Sequence, residues 1–171
     1  SNDLKPLSVV TGDIIAKNAY EWSKATESPL AQAAVRGAEK ITVRPLLGHS
    51  GKAVKLPKGA SLSYDFYCDK SGDARFTIAA IPCFLNAVKD MRVSVSIDRG
   101  EPVICQLKEV YNSKDWQFDL WRGQTLKSFY VTLPGGSHNV TIKALDDNVM
   151  IDQWVLDYDV DREYYVFPVA K

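Results

Sequence analysis

Along most of this sequence apolar and polar residues alternate one for one, and that period of two narrows the possible folds more than any other feature. A strand sends successive side chains to opposite faces, whereas an amphipathic helix repeats its apolar residues every three or four. In "MRVSVSID", Met91, Val93, Val95 and Ile97 share one face, and Arg92, Ser94, Ser96 and Asp98 the other. The turn "DRGEP" follows, with Gly100 free to take a positive φ. In "SLSYDFYC", Leu62, Tyr64, Phe66 and Cys68 face inward, and "ARFTIAAI", "PVICQLKE", "LKSFYVTL", "HNVTIKAL" and "VMIDQWVLDYD" read the same way. "KSGD" at 70–73 and "PGGS" at 134–137 predict tight hairpin turns. Nearer the N-terminus, "DIIAKNAYEW" predicts an opening strand and "SPLAQAAVRGAEK" one short helix. "ITVRPLLG" and "AVKLP" predict two short strands around "GHSG". Many strands with almost no helix between them give an all-β chain, an antiparallel β-sandwich with at most one short helix. The expected division is a linker or tag remnant at 1–12, a sandwich at 13–160, and a tail or docking strand at 161–171.

Charge and composition remove whole classes of partner. With 171 residues, the chain can bury a core of its own. Its 21 basic residues are balanced by 21 acidic ones, so no overall field draws in nucleic acid or an anionic membrane. No apolar run approaches the roughly 20 residues that span a bilayer, and "SNDLKPLS" has no signal-peptide core. Any export signal is expected to have been removed or to lie outside this piece. Cys68, Cys83 and Cys105 lack metal-site spacing and read as small buried residues.

The search for chemistry yields little. His49 lies in "GHSG" and His138 after "PGGS"; neither has a second histidine at ligand spacing, and both read as surface or turn residues. There is no GxSxG. Glycoside hydrolysis needs two facing carboxylates, but Asp146 and Asp147 are adjacent and point apart on a strand. Strict alternation puts Asp152 on one face with Trp154, Leu156 and Tyr158, where it must be hydrogen-bonded, paired or metal-bound. The expectation is a carboxylate satisfying loop amides. Asp157, Asp159 and Asp161 read as a solvated acidic edge. No catalytic residue and no metal ligand is assigned.

Binding is a different matter. "NSKDWQFDLWRGQ" carries Trp116 and Trp121. Whether extended or helical, the segment groups Trp116 with Leu120, and an extended one adds Phe118, so Trp116 reads as a wedge in the sandwich. Trp121, beside Arg122, reads as a flat face for a pyranose ring with a guanidinium for hydroxyls or a uronate. The loop "PCFLNAVKD" offers Asn86 and Lys89 as polar contacts. Phe84 and Leu85 in the same loop are alternatives for meeting a neighbouring domain. The carbohydrate-binding candidates are therefore Trp121, Arg122, Trp116, Asn86 and Lys89.

The order of "LLGHSGKAVKLP", "YDFYCDKSGDARFTIAAIPCFL", "MRVSVSIDRGEPVICQL", "DWQFDLW" and "GSHNVTIKALDDNVMIDQWVLD" resembles the C-terminal β-sandwich of glycoside hydrolase family 115, the xylan α-glucuronidases. More loosely it resembles carbohydrate-binding modules of families 6 and 35. The positions that carry the resemblance are Leu47, Gly48, Ser50, Gly51, Pro57, Tyr64, Asp65, Phe66, Pro82, Arg92, Val95, Ser96, Asp98, Trp116, His138, Asp146, Asp152 and Asp157. It implies a jelly-roll, galactose-binding-like fold and a non-catalytic accessory domain, secreted or periplasmic, that contacts glucuronoxylan-like polysaccharide or shapes the cleft of a catalytic domain. Related modules carry an acidic "E-A-E" for structural calcium where this chain has Ala16, Lys17 and Asn18. A site built from Asn18 and Asp152 is poor in charge, so calcium is disfavoured and no cofactor is expected. The alternative reading is a structural or homodimerising domain in which Trp121, Tyr164, Tyr165 and Phe167 cover a neighbour.

Overall fold

In the computed structural model, which describes residues 13–110 and 113–164, the alternating segments form two antiparallel sheets packed face to face. In chain order the elements are β1 Ile14–Asn18, β2 Lys24–Thr26, α1 Pro29–Gln32, β3 Thr42–Pro45, β4 Lys52–Leu56, β5 Ser61–Cys68, β6 Gly72–Ala80, β7 Arg92–Ile97, β8 Val103–Gln106, α2 Lys114–Arg122, β9 Thr125–Leu133, β10 Gly136–Ala144 and β11 Val149–Asp157. One sheet runs β3-β4-β11-β6-β9, with β1 also on β11; the other runs β2-β5-β10-β7-β8. The expected linker at 1–12, and Tyr165 and Phe167 of the tail, lie outside the described residues.

The inward faces are those the alternation predicts. Leu62, Tyr64, Phe66 and Cys68 from one sheet meet Phe76, Ile78, Trp154 and Leu156 from the other, all buried. Trp154 lies at the centre, stacked on Phe76 at 5.3 Å and edge-on to Tyr64 and Phe66 at 5.6 and 5.5 Å. Its burial removes on the order of 200 Å² from water, an upper limit of about 5 kcal/mol. The three cysteines are free, two of them buried.

Two predicted hairpins are corrected. β5 and β6 lie in different sheets, as do β9 and β10, so "KSGD" and "PGGS" carry the chain across the sandwich. The two corners are tied together where the Gly135 amide donates to Ser71 Oγ at 2.7 Å. Glycine-rich turn chemistry is the same for both jobs, and only the pairing of distant strands tells them apart. "DRGEP" is a true hairpin, since β7 and β8 pair with Val95 opposite Val103.

The helices differ from expectation by one. Pro29–Gln32 is a single turn capped by Ser28, in the segment expected to be helical. The second, α2, forms where "DWQFDLW" also fits a strand. Ser113 accepts from the Trp116 amide at 3.0 Å at its start, and Gly123, at φ 75°, ends it in the left-handed conformation.

Two aspartates are also placed differently. The pairing of β11 with β6 shifts register between Ile151 and Gln153, so Ile151, Trp154 and Leu156 all reach the core and Asp152 leaves the face it would share with Trp154. Asp157 is fully buried rather than solvated, whereas Asp159 and Asp161 are exposed as expected. The tail explains it: Arg162 Nε and the Tyr164 hydroxyl both donate to Asp157 at 2.7 Å.

Candidate functional site

The structure brings the two sequence-predicted regions together. Phe84, from the loop that follows β6, meets Trp116 of α2 edge-on, with ring centroids 5.4 Å apart and planes at 82°. Trp116 is half-buried in this contact and not part of the central core, which corrects its expected place as a wedge inside the sandwich. Nine helical residues carry it across the end of the sandwich instead. Asn86 and Lys89, from the same loop as Phe84, are exposed. Trp121 and Arg122 occupy the last two positions of α2; their side chains, with those of Phe118 and Leu120, lie outside the described residues.

The loop is held by a residue that the sequence did not single out. Lys108, just beyond β8, donates its ammonium to the carbonyls of Cys83 and Leu85 at 2.6 and 2.9 Å. The Val88 amide closes a turn onto the Leu85 carbonyl at 3.1 Å. A lone lysine gives no sequence signal for such a role, because its partners are main-chain atoms more than twenty residues away.

The other end of α2 is fixed through Asp152. This carboxylate accepts from the amides of His49 (2.7 Å) and Ser50 (3.2 Å), from Ser50 Oγ (2.5 Å) and from Gln124 Nε2 (2.9 Å). Gln124 follows the helix cap, is fully buried, and also donates to Gln153 Oε1 at 3.2 Å. Gly48 lies flat on the carboxylate, where a methyl group would stand 2.3 Å from Asp152 Oδ1. Asp119 of α2, also buried, accepts from Thr125 Oγ1 at 2.7 Å. Asp152 thus ties the β3–β4 turn to the α2–β9 junction, the loop-amide role expected of it. His49 in that turn is exposed, as predicted.

The donor set also answers the calcium question. Four N–H or O–H groups aimed at Asp152 make a cradle for an anion; a cation would need them turned away. Asn18 Oδ1 accepts from Gln153 Nε2 at 3.2 Å, so its oxygen is engaged too. These residues do not fit a hard cation. Among the described residues no three His, Cys, Asp or Glu side chains cluster as metal ligands, and no helix is long and apolar enough to cross a membrane.

His138 departs from its expected surface position. It is buried to 9% exposure, with Nδ1 2.6 Å from Asp98 Oδ2 and Nε2 2.6 Å from the Pro134 carbonyl. Two acceptors at two ring nitrogens require both to carry protons. Burial pushes the imidazole pKa down, but the bonds to Asp98 and Pro134 outweigh it and hold the value above the ordinary one.

The profile described as the glycosyl hydrolase family 115 C-terminal domain matches residues 13–170. Among solved structures, a family GH115 4-O-methyl-α-glucuronidase with specificity for decorated arabinogalactans is 25% identical, with a TM-score of 0.67 over 84% of this chain. The chain spans 17% of the length of that enzyme. The C-terminal family 6 carbohydrate-binding module of a laminarinase from Zobellia galactanivorans is 16% identical, with a TM-score of 0.55, covering 85% of this chain and 99% of that one. A family 35 carbohydrate-binding module from Clostridium thermocellum is 13% identical, with a TM-score of 0.57, covering 83% of this chain and 97% of that one. The last two show a shared fold. No curated protein matches the sequence.

Proposed function

The chain belongs to the family of glycosyl hydrolase family 115 C-terminal domains, and on that premise we propose that it is a non-catalytic accessory β-sandwich of a secreted or periplasmic polysaccharide-degrading enzyme. It meets glucuronate-decorated glycan at the end of the sandwich where the loop 81–90 and α2 touch, and hydrolysis belongs to a catalytic domain of the parent protein. The observation that carries this reading is the Phe84–Trp116 contact, which sets the exposed Asn86 and Lys89 beside the helix bearing Trp121 and Arg122. Aromatic faces, an amide and two cations are the groups that stack on pyranose rings and pair with hydroxyls and a carboxylate. Affinity of such a module is weak alone and multiplied by tethering to a catalytic domain.

Titration of glucuronoxylan fragments, and in parallel of glucuronate-decorated arabinogalactan fragments, into the wild type, Trp116→Ala and Trp121→Ala tests it. A saturable change in heat or tryptophan fluorescence is expected for the wild type with at least one backbone, weakened in Trp121→Ala. The same absence of response in all three proteins ends the glycan reading.

One observation favours a second reading, a structural or dimerising domain. Every residue of the edge strand β3 is exposed, and Leu46, which follows it, is 95% exposed. Light scattering of the wild type and Leu46→Ser discriminates: a dimer that the substitution dissociates favours this reading, and a monomer in both removes it.

A further inference from the structure

The two sheets present different outer faces. That of the β11 sheet is closed: Ala79 and Val155 are fully buried there under Tyr164, with Ile14, Ala16 and Leu126 around them. That of the β10 sheet is open, and the pairing register fixes what lies on it. Ser61, Ser63, Asp65 and Tyr67 of β5 stand opposite Lys143, Thr141, Asn139 and Ser137 of β10. Ser96 and Ser94 of β7 continue the rows from Thr141 and Lys143, and Lys24 and Thr26 of β2 extend those of Ser63 and Ser61.

From these rows we propose a second glycan-binding surface, a track along β5 and β10 that takes an acidic, uronate-bearing polysaccharide. The inference rests on the glycan reading above but names a separate site. Its floor is short and hydrogen-bonding. Ser63 and Thr141 share a 2.8 Å bond, Asn139 Nδ2 donates to Asp65 at 2.9 Å, and the hydroxyls of Ser61, Ser94 and Ser96 make no hydrogen bond within the described residues. One end is cationic. Lys143 rises between Ser61 and Ser94, exposed and with no carboxylate partner among the described residues, and Lys24 lies in the next row. The other end is aromatic, where Tyr67 is 63% exposed.

Tyr67 lies six residue steps beyond Ser61 along β5, so the track is about 20 Å long. A sugar chain laid along it finds a ring to stack on at one end, hydroxyl and amide partners between, and an ammonium for its carboxylate at the other. Charge complementarity selects the occupant at the Lys143 end, where Lys143 and Lys24 have no carboxylate partner among the described residues. Asp65, which keeps its negative charge under the Asn139 hydrogen bond, lies in the row next to Tyr67 and presents acceptors for sugar hydroxyls.

Affinity electrophoresis tests this in gels containing soluble glucuronoxylan, or the same polymer with its carboxyls reduced to alcohols. Wild type, Lys143→Gln, Tyr67→Ala, their double variant and Trp116→Ala are compared, each checked for folding by circular dichroism. Lys143→Gln is expected to weaken retardation by the uronate polymer about two- to fivefold, the worth of an exposed ion pair, without changing that by the reduced polymer. Tyr67→Ala is expected to weaken both about two- to tenfold. Retardation of the double variant equal to the wild type, with Trp116→Ala alone impaired, overturns the track and leaves the end-of-sandwich reading standing. No retardation of the wild type in either gel overturns the track, while the end-of-sandwich reading is decided by the titrations above.

Discussion

Asp152 is the residue on which this end of the molecule turns. Its four donors come from the β3–β4 turn and from Gln124, so replacing it with alanine removes the acceptor of part-buried donors in the turn and of the buried Gln124 amide at once. Asp152→Ala is expected to lose about 3 kcal/mol, since hydrogen bonds to a charged group are each worth about 1.5–3 kcal/mol and part of the loss is recovered by water. Urea unfolding measures it. Gly48 supplies a sharper comparison with Gly51. Both have positive φ, 74° and 82°, but a methyl on Gly51 meets nothing within 4 Å. Gly51→Ala should cost only backbone strain, about 1–2 kcal/mol, and Gly48→Ala clearly more because the methyl strikes the Asp152 carboxylate. Equal costs would mean that the turn lifts away from Asp152 freely. The motif "GHSG" was legible as a turn, but its partner lies about a hundred residues away, and pattern alone does not reach that far.

His138 and Asp98 carry the pH dependence at the same scale. The histidine pKa is raised in the folded state, so its contribution is fully present below the unfolded value of about 6.5 and is lost as pH rises through the folded one. Burial raises the Asp98 pKa, but the His138 ring and the Asn139 amide lower it more. Its contribution is therefore present above the unfolded value of about 3.9 and lost as pH falls through the folded one. The pair should stabilise most between about pH 4 and 6.5, the two unfolded values, and His138→Gln should lower the thermal midpoint in that window and remove the decline that the wild type shows as pH rises above it. A profile unchanged by the substitution would place the charge elsewhere.

At the scale of elements, the strands were legible and their partners were not. A period of two says which residues face inward, and Leu62, Tyr64 and Phe66 do. It is blind to which sheet a strand joins, which is why the corners at 70–73 and 134–137 read as hairpins. It also fails at an inserted residue, where the bulge in β11 turned Asp152 from its expected face, and it cannot foresee a tail that folds back to bury Asp157. For α2 the signal was ambiguous, because Trp116 and Leu120 coincide at both spacings. What decides for helix is its caps, Ser113 and Gly123. Ser113→Ala should then cost about 1 kcal/mol and also move Trp116 against Phe84, visible as a shift in tryptophan emission absent from a cap variant of α1 such as Ser28→Ala. The site itself was half legible: the loop and the tryptophan segment were both named, but their meeting depends on Lys108 and Asp152, whose partners are distant in sequence.

At the scale of the whole molecule, contacts with the sandwich continue past the boundary expected at 160. Beyond β11 the chain returns over the outer face of its own sheet, where Arg75 donates to the carbonyls of Val160 and Arg162 and lies 4.9 Å from the Tyr164 ring. The Asp159 amide, Arg162 and Tyr164 together satisfy the buried Asp157. A carboxylate taken wholly out of water is tolerable only while those partners stay. Removing the cation alone is therefore worse than removing both charges. Arg162→Met should destabilise by about 3–5 kcal/mol by leaving Asp157 buried without its cation, and Asp157→Asn combined with Arg162→Met should recover a substantial part of that loss. Chemical denaturation of the two single variants and the double variant gives the coupling directly. If the double variant loses the sum of the two single losses, the segment 158–164 rests on the sandwich without being bound through Asp157. If the losses are strongly non-additive, the segment is part of the fold, and any partner of this face must contend with a strap already in place.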